Sequence, residues 1–581
     1  MRQTLASGIG LGLTVSACAF GQPVDYQVVA ATGQSAFGMP AGYTYRGFGL
    51  PMLDDAGRVT LLATYNDETG GNAGVSALIR FGAGEPEFLL QYGDAPIGVD
   101  PGQVFVALEE SRINRNGLVT IEAHIDDLQS GSHDWNGGIY ALTEAGPFQK
   151  VVLAGEIAAG TDSYFRLDEL YRFDYGLSTD GHIAFESDLY SQTGHDRGSG
   201  IWVWDPATSA LTLVVREDDD VPGMQNGVHF QWLATPRVSA NGVVVFYAII
   251  DGQGISNAND AAWFRWDEDS GLSQIIREGD PVPGFPPTVT FSSVAARVND
   301  LGHTLIWGDI EGPGITDDSD QILISDRGGN GYEHVYREGI QAPTLTPGVK
   351  VSNIGDVFFN NQSHIGFFSR VDGPVATGEE GRYFWAEGIL PGLAKVTRTG
   401  QHVPGFSDEF TLGSYEMTYS SESHGPPPAF SDTSRFSFFG GLSGPNPNPL
   451  DPIASAFITD SVGELRLLAP TGAQLDISSD PQNPMLRTVE SRRFDIPSSA
   501  NADDDIAMLV RFTDDSSAIV VATYANGCLA DVNGDGIATP TDFTAWLDAF
   551  NSGSPACDQN GDGQCTPTDF TAWLSNYSLG C

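Results

Sequence analysis

Along most of the chain, apolar and polar residues alternate with a period of two, and the alternation restarts behind a short turn rich in Asn, Asp, Ser and Gly. The stretch NDLGHTLIWGDI, residues 299–310, is the clearest case. Asn bonds its own local backbone and Gly accepts positive φ, so the pair suits a tight turn; the alternation behind it has the strand period, not the helical one. Eight copies align on the first turn residue: Asp54, Asn114, Ser178, Ser239, Asn299, Asn360, Ser431 and Asn501, in steps of 60 to 71 residues. In the last three copies Ser363, Ser434 and Asp504 stand where the others have Gly, which leaves the turn geometry there open.

Each copy reads as four strands. One runs into the turn (FQWLATPRV, 230–238) and one leaves it; the third is aromatic (GIWVW, 200–204; AAWFRW, 261–266); the fourth ends in a charged turn and a Pro-Gly corner (QIIREGDPVPG, 274–284). Four short antiparallel strands in about 60 residues, repeated, predict β-propeller blades. The eighth copy stops after its third strand, SAIVVATY (517–524), and a strand able to complete it lies at the other end of the chain, within YQVVAATGQSAFGMPAG (26–42). The expected fold is therefore all-β, an eight-bladed β-propeller over residues 25–525 closed by the N-terminal strand, which would remove exposed edges. A small α-helical module, residues 526–581, follows. STDGHIAFE (178–186) resembles the NxxGxxAF tandem-repeat family over roughly residues 25–525, which implies a secreted repeat without an assigned activity.

The last module holds two near-copies, DVNGDGIATPTDFTAWLDAF (531–550) and DQNGDGQCTPTDFTAWLSNY (558–577). A twelve-residue loop can offer a hard Ca²⁺ ion oxygens from positions one, three, five, seven and twelve, with Gly at six for the turn. The first copy supplies Asp531, Asn533, Asp535, the Ile537 carbonyl and Asp542; the second supplies Asp558, Asn560, Asp562, the Gln564 carbonyl and Asp569. Two Ca²⁺ sites are expected. Thr539 and Thr566 can cap the helices that follow, with Pro540 and Pro567 at the first helical position and Asp542 and Asp569 where a capping-box acid falls. Phe543, Trp546, Leu547 and Phe550, with Phe570, Trp573, Leu574 and Tyr577, keep helical spacing and predict a small core.

Residues 528–581 resemble a dockerin, and the opening Cys528 with the closing Gly580-Cys581 resembles the GC-type dockerin of planctomycete-like bacteria. The resemblance implies a calcium-folded anchoring module with a cohesin-like or cell-surface protein partner. Pro540-Thr541 and Pro567-Thr568 depart from the Ser-Thr recognition pair of such modules, and Leu547-Asp548 and Leu574-Ser575 replace their basic residues.

A formal charge of -47 over 581 residues makes nucleic acid an unlikely partner, because it would repel the chain. The opening MRQTLASGIGLGLTVSACAFGQP reads as a signal peptide, residues 1–19; Val15-Ser16-Ala17-Cys18 also fits a lipoprotein box, so Cys18 is an alternative lipid anchor. No later apolar run reaches membrane-helix length, so the mature chain is expected to be secreted or held at the cell surface without a transmembrane segment. The other four cysteines lie in the last module. Cys557 and Cys565 both occupy places held by Ala530 and Ala538 in the first loop, which pairs them and leaves Cys528 for Cys581.

No nucleophile-and-base set, His cluster or converging carboxylates stand out in the repeats. His182, His303 and His364 share one slot behind the turn and are expected at the surface; Arg216-Glu217, Arg277-Glu278 and Arg337-Glu338 are expected to pair across strands. Trp202 with Trp204, and Phe264 with Trp266, are expected to pack between blades. Asp317-Asp318-Ser319-Asp320 and Asp503-Asp504-Asp505 read as solvated loops. The expected function is a secreted calcium-binding protein whose noncatalytic propeller is a binding or display platform anchored by the dockerin-like module. The alternative is a carbohydrate-active enzyme, a polysaccharide hydrolase or lyase, with the same anchor.

Overall fold

The computed structural model describes residues 24–579 except for short stretches, the longest being 127–135, 416–428, 445–452 and 491–500; most of 525–538 and 558–564 also fall outside the description. Among the described residues the chain is mostly β. The strands gather into eight antiparallel sheets, one for each sequence copy, with a two-stranded ribbon (Gln474–Asp476 and Leu486–Thr488) before the last. In the fourth sheet, Val228–Val238, Val244–Gly252, Ala261–Asp267 and Gly271–Arg277 pair in chain order. The eighth is built from both ends of the chain. Ile506–Arg511 and Ser517–Tyr524 pair with each other, and Val24–Ala31 completes the sheet with Val28 opposite Val520.

The turn between the first and second strands is the same object in every copy. The side-chain oxygen of its first residue accepts a hydrogen bond from the backbone N–H four residues on, at 2.8 to 3.1 Å, in all eight copies. All eight of these residues are buried. The change from Gly to Ser in copies six and seven leaves the turn intact: Ser363 and Ser434 adopt the left-handed conformation, at φ 61° and 62°. Their hydroxyls are put to use. Ser363 Oγ meets Asn299 Nδ2 at 2.9 Å and His303 Nδ1 at 2.8 Å from the copy before, and Ser434 Oγ meets His364 Nδ1 at 2.8 Å. His303 and His364 are thus half-buried links between copies and not surface residues.

The apolar core lies between neighbouring sheets, because each sheet buries both faces. Phe230, Phe246 and Phe264 of copy four pack with Ala184, Ile201 and Val203 of copy three. Trp202 and Trp204 pack against Ile139 and Ala141 of copy two, as expected of the aromatic third strand. The last copy meets the first in the same manner: Leu509, Ile519 and Val521 pack with Leu61, Ala63 and Ile79.

Two helices end the chain, α1 (Pro540–Ser552) and α2 (Pro567–Leu579). Trp546 and Trp573 fill a small core with Ala530, Ala549 and Cys557, and their indole N–H groups bond the Cys557 and Ala530 carbonyls at 3.0 and 3.2 Å. Cys557 is joined to Cys565 by a disulfide. Cys528 and Cys581 lie outside the described residues, as do the signal segment and Cys18.

Candidate functional site

A bulge at Phe230–Trp232 in the first strand of copy four turns Trp232 outward, where half of it is exposed (50%). Its ring meets Tyr247 edge-on, with centroids 5.8 Å apart, and Tyr247 meets Trp263 in turn at 5.7 Å. Tyr247 and Trp263 are cross-strand partners, so three adjacent strands build one aromatic cluster whose inner ring, Trp263, is buried and whose outer ring, Trp232, is exposed. Trp263 is anchored to copy five through its indole N–H, 3.1 Å from the Val294 carbonyl.

Two carboxyls stand beside this cluster. Glu278 follows the fourth strand and bonds back to the Ala261 carbonyl through its N–H; Asp260 immediately precedes Ala261. Burial, and then the neighbouring Asp260 charge, hold the Glu278 carboxyl above the ordinary range. Tyr247 is also raised, by burial and then by Glu278 and Asp260, so its phenol keeps its proton. The cluster therefore joins a carboxyl whose pKa is raised, a second carboxyl beside it and a half-exposed indole.

The next copy repeats the acid pair in a buried setting. Glu338 is raised by burial, with Asp320 adding to the shift; its Oε1 accepts the Asn353 N–H at 2.8 Å. Asp320 is thus part of a pair, while Asp317 and Asp318 are exposed as expected of a loop. Asp505 lies in the last turn and donates its N–H to Asn501, whereas Asp503 and Asp504 are outside the described residues. Among the described residues the three arginines of the expected Arg–Glu pairs are directed to other partners than the adjacent glutamates. Arg216 and Arg277 turn back towards Asp219 and Asp280, at 3.8 and 3.9 Å, and Arg337 bonds the Ser319 carbonyl at 2.8 Å, because the charged corner brings those groups closer than the adjacent Glu.

Of the ten expected calcium ligands, Asp542 and Asp569 are described; Asp531, Asn533, Asp535, Ile537, Asp558, Asn560, Asp562 and Gln564 lie outside the described residues. Both carboxylates are fully buried at their helix starts. Asp542 Oδ2 accepts the Thr539 N–H at 2.8 Å and its hydroxyl at 3.1 Å, and Asp569 Oδ2 does the same with Thr566 at 2.7 and 3.1 Å. That is the acid half of the expected capping box; the Asp542 and Asp569 N–H groups bond the Thr539 and Thr566 carbonyls, each at 3.0 Å. Asp569 Oδ1 also accepts the Gln559 N–H at 2.9 Å, tying the helix start to its own loop. An all-oxygen donor set with a buried closing carboxylate suits a hard divalent cation.

A model of a family of unknown function, DUF7453, matches residues 13–162 and 153–525. The chain belongs to this family. No curated protein matches the DUF7453 chain. Among solved structures it is similar to a prolyl endopeptidase (12% identity, TM-score 0.36, covering 80% of this chain and 54% of that one). It is also similar to the β-propeller domain of the trilobed protease from Pyrococcus furiosus (9%, TM-score 0.34, 72% and 96%). A third is a polysaccharide lyase, an ulvan lyase (11%, TM-score 0.24, 64% and 87%). The chain thus spans about half the length of the prolyl endopeptidase. The expectation of a noncatalytic display platform is corrected here: the solved structures to which the chain is similar are a peptidase, a protease and a lyase, at 9 to 12% identity.

Proposed function

We propose that the DUF7453 chain is a carbohydrate-active enzyme, a polysaccharide hydrolase acting at the Trp232–Tyr247–Trp263 cluster. The observation that carries this reading is the raised Glu278 carboxyl beside Asp260 and a half-exposed indole. Sugar rings stack on such faces, and glycoside hydrolysis needs one carboxyl that still holds its proton beside a second that has lost it. In this role Glu278 donates to the leaving glycosidic oxygen and Asp260 is the second carboxyl of the pair. Elimination, the lyase route, needs a base, and Tyr247 is a poor one because its phenol retains its proton. The test is reducing-sugar release over a panel of neutral and acidic polysaccharides. Release that Glu278→Gln abolishes, with thermal unfolding unchanged, supports the reading; absence of release from every member, or full activity in Glu278→Gln, removes it.

The scaffold we propose for this site is a closed eight-bladed ring. Support comes from the Val28–Val520 pairing and from the packing of copy eight on copy one. The C-terminal loops we assign to two Ca²⁺ ions that brace the small helical module. Calorimetry of the whole chain with Ca²⁺ should give two ions bound, and one in Asp542→Asn; an unchanged stoichiometry in that variant rejects the assignment.

A further inference from the structure

The second residue of the turn, unlike the first, varies without pattern in copies one to seven: Asp55, Arg115, Thr179, Ala240, Asp300, Asn361 and Asp432. In the structure these residues form one network. The Asp55 N–H bonds the Arg115 carbonyl at 3.0 Å and the Ala240 N–H bonds the Asp300 carbonyl at 3.3 Å. The Asp300 N–H bonds Asn361 Oδ1 at 2.9 Å, and the Asn361 N–H bonds Asp432 Oδ1 at 2.8 Å. Two of the contacts skip copies. The Thr179 hydroxyl of copy three donates to Asp300 Oδ2 of copy five, and Arg115 Nη1 of copy two lies 2.6 Å from Asp432 Oδ2 of copy seven.

Copies that are not neighbours can touch only across the middle of a ring. We infer that the first turns of copies one to seven interlock on the axis and seal that end of the bore, with Arg115–Asp432 as the clasp. The inference rests on the ring reading above. The strand Val244–Gly252 leaves its turn and runs away from this plug towards Asp260, so Asp260 and Glu278 stand at the opposite end of the sheet. The bore is then closed at that end, while the acid pair stands at the other end of its sheet, beside the third and fourth strands and away from the first.

Charge supports the assignment of the clasp. Arg115 is the one cation among these second-turn residues and faces a network carrying Asp55, Asp300 and Asp432. Both partners of the pair are shielded, with 27% and 20% of their side chains exposed. Its removal leaves the shielded Asp432 carboxylate without its ion-pair partner.

A double-mutant cycle with Arg115→Ala and Asp432→Ala, read by urea unfolding, tests the clasp. The expected result is non-additive: each single variant lowers the midpoint, and the double variant is no worse than the poorer single. Additive shifts overturn the inference. Where an alanine variant does not fold, Arg115→Gln with Asp432→Asn is read in the same way. The seal is tested with Ala240→Cys, whose thiol would sit in the plug. Alkylation of that position should be slow in the otherwise native chain and several-fold faster once Arg115→Ala is added; equally fast alkylation in both means the bore is open. Failure of the ring itself is a separate outcome, because Val28→Asp reads closure through sheet eight: additive clasp variants alongside a global loss in Val28→Asp remove the plug and leave the ring.

Discussion

At the residue scale the turn anchors differ in how much depends on them, although their sequence slot is identical. Asn299 accepts the His303 N–H at 3.0 Å and donates to the Asn360 carbonyl at 3.0 Å and the Ser363 hydroxyl at 2.9 Å, so it ties its own turn to the next copy's. Asn299→Ala should cost about 2–3 kcal/mol in urea unfolding, since it strands buried polar groups on both copies. The local bond was legible in the sequence because Asn, Asp and Ser share the same turn chemistry. The second bond was not, as it depends on a residue some sixty positions away. A related slot opens the way to stabilisation. The residue after Glu217 is Asp218, held at φ 68°, where the equivalent Gly279 and Gly339 lie at 81° and 80°. Asp218→Gly relieves a left-handed L-residue, a gain of about 1–2 kcal/mol, against about 0.4–1 kcal/mol for the freer unfolded chain. A rise of the melting midpoint is expected; a fall would mean that the Asp218 side chain stabilises the corner.

At the scale of elements, the strand order inside each copy could be read from alternation alone, but the candidate site could not. AAWFRW marks the aromatic third strand, yet Phe264 faces the copy-three core while Trp263, one residue away, faces the core shared with copy five. The bulge that exposes Trp232 follows from pairing geometry and leaves no mark in the residue pattern. Glu278 reads as half of an Arg–Glu pair until the corner shows Arg277 directed to Asp280. The pH behaviour of the cluster follows from the direction of its shift. Glu278 is raised in the fold, so between the ordinary carboxylate range and its folded value the native state holds a proton that the unfolded chain has released; stability falls as pH rises through that window. Hydrolysis by a protonated Glu278 should fall at the alkaline side of the same window. Asp260→Asn removes the neighbouring negative charge, the second cause of the shift, and should move the loss of stability with rising pH to lower pH, read as urea midpoints across the window. A loss that stays in place would assign the proton to another group.

At the scale of the whole molecule, the question is whether the eight sheets are a chain of neighbours or a loop. In an open array, stability is close to a sum of unit and nearest-neighbour terms, so damage to the terminal sheet frees that sheet first. In a closed ring the terminal sheet is also the neighbour of the first, and Leu509, Ile519 and Val521 lie in one core with Leu61 and Ile79. Val28 is the residue to change: it is 5% exposed among Ile506, Val510 and Val520 in the strand contributed by the other end of the chain. Val28→Asp places an unpaired carboxylate there, at a cost on the order of 3 kcal/mol or more. Gln27→Asp, one residue earlier on the exposed side, is the control for added charge. The closed ring predicts one cooperative transition at a lower urea midpoint, with tryptophan fluorescence and far-ultraviolet circular dichroism changing together. An open array predicts an early partial transition with the fluorescence of Trp202, Trp204 and Trp385 still native, since all three lie in copies remote from the break.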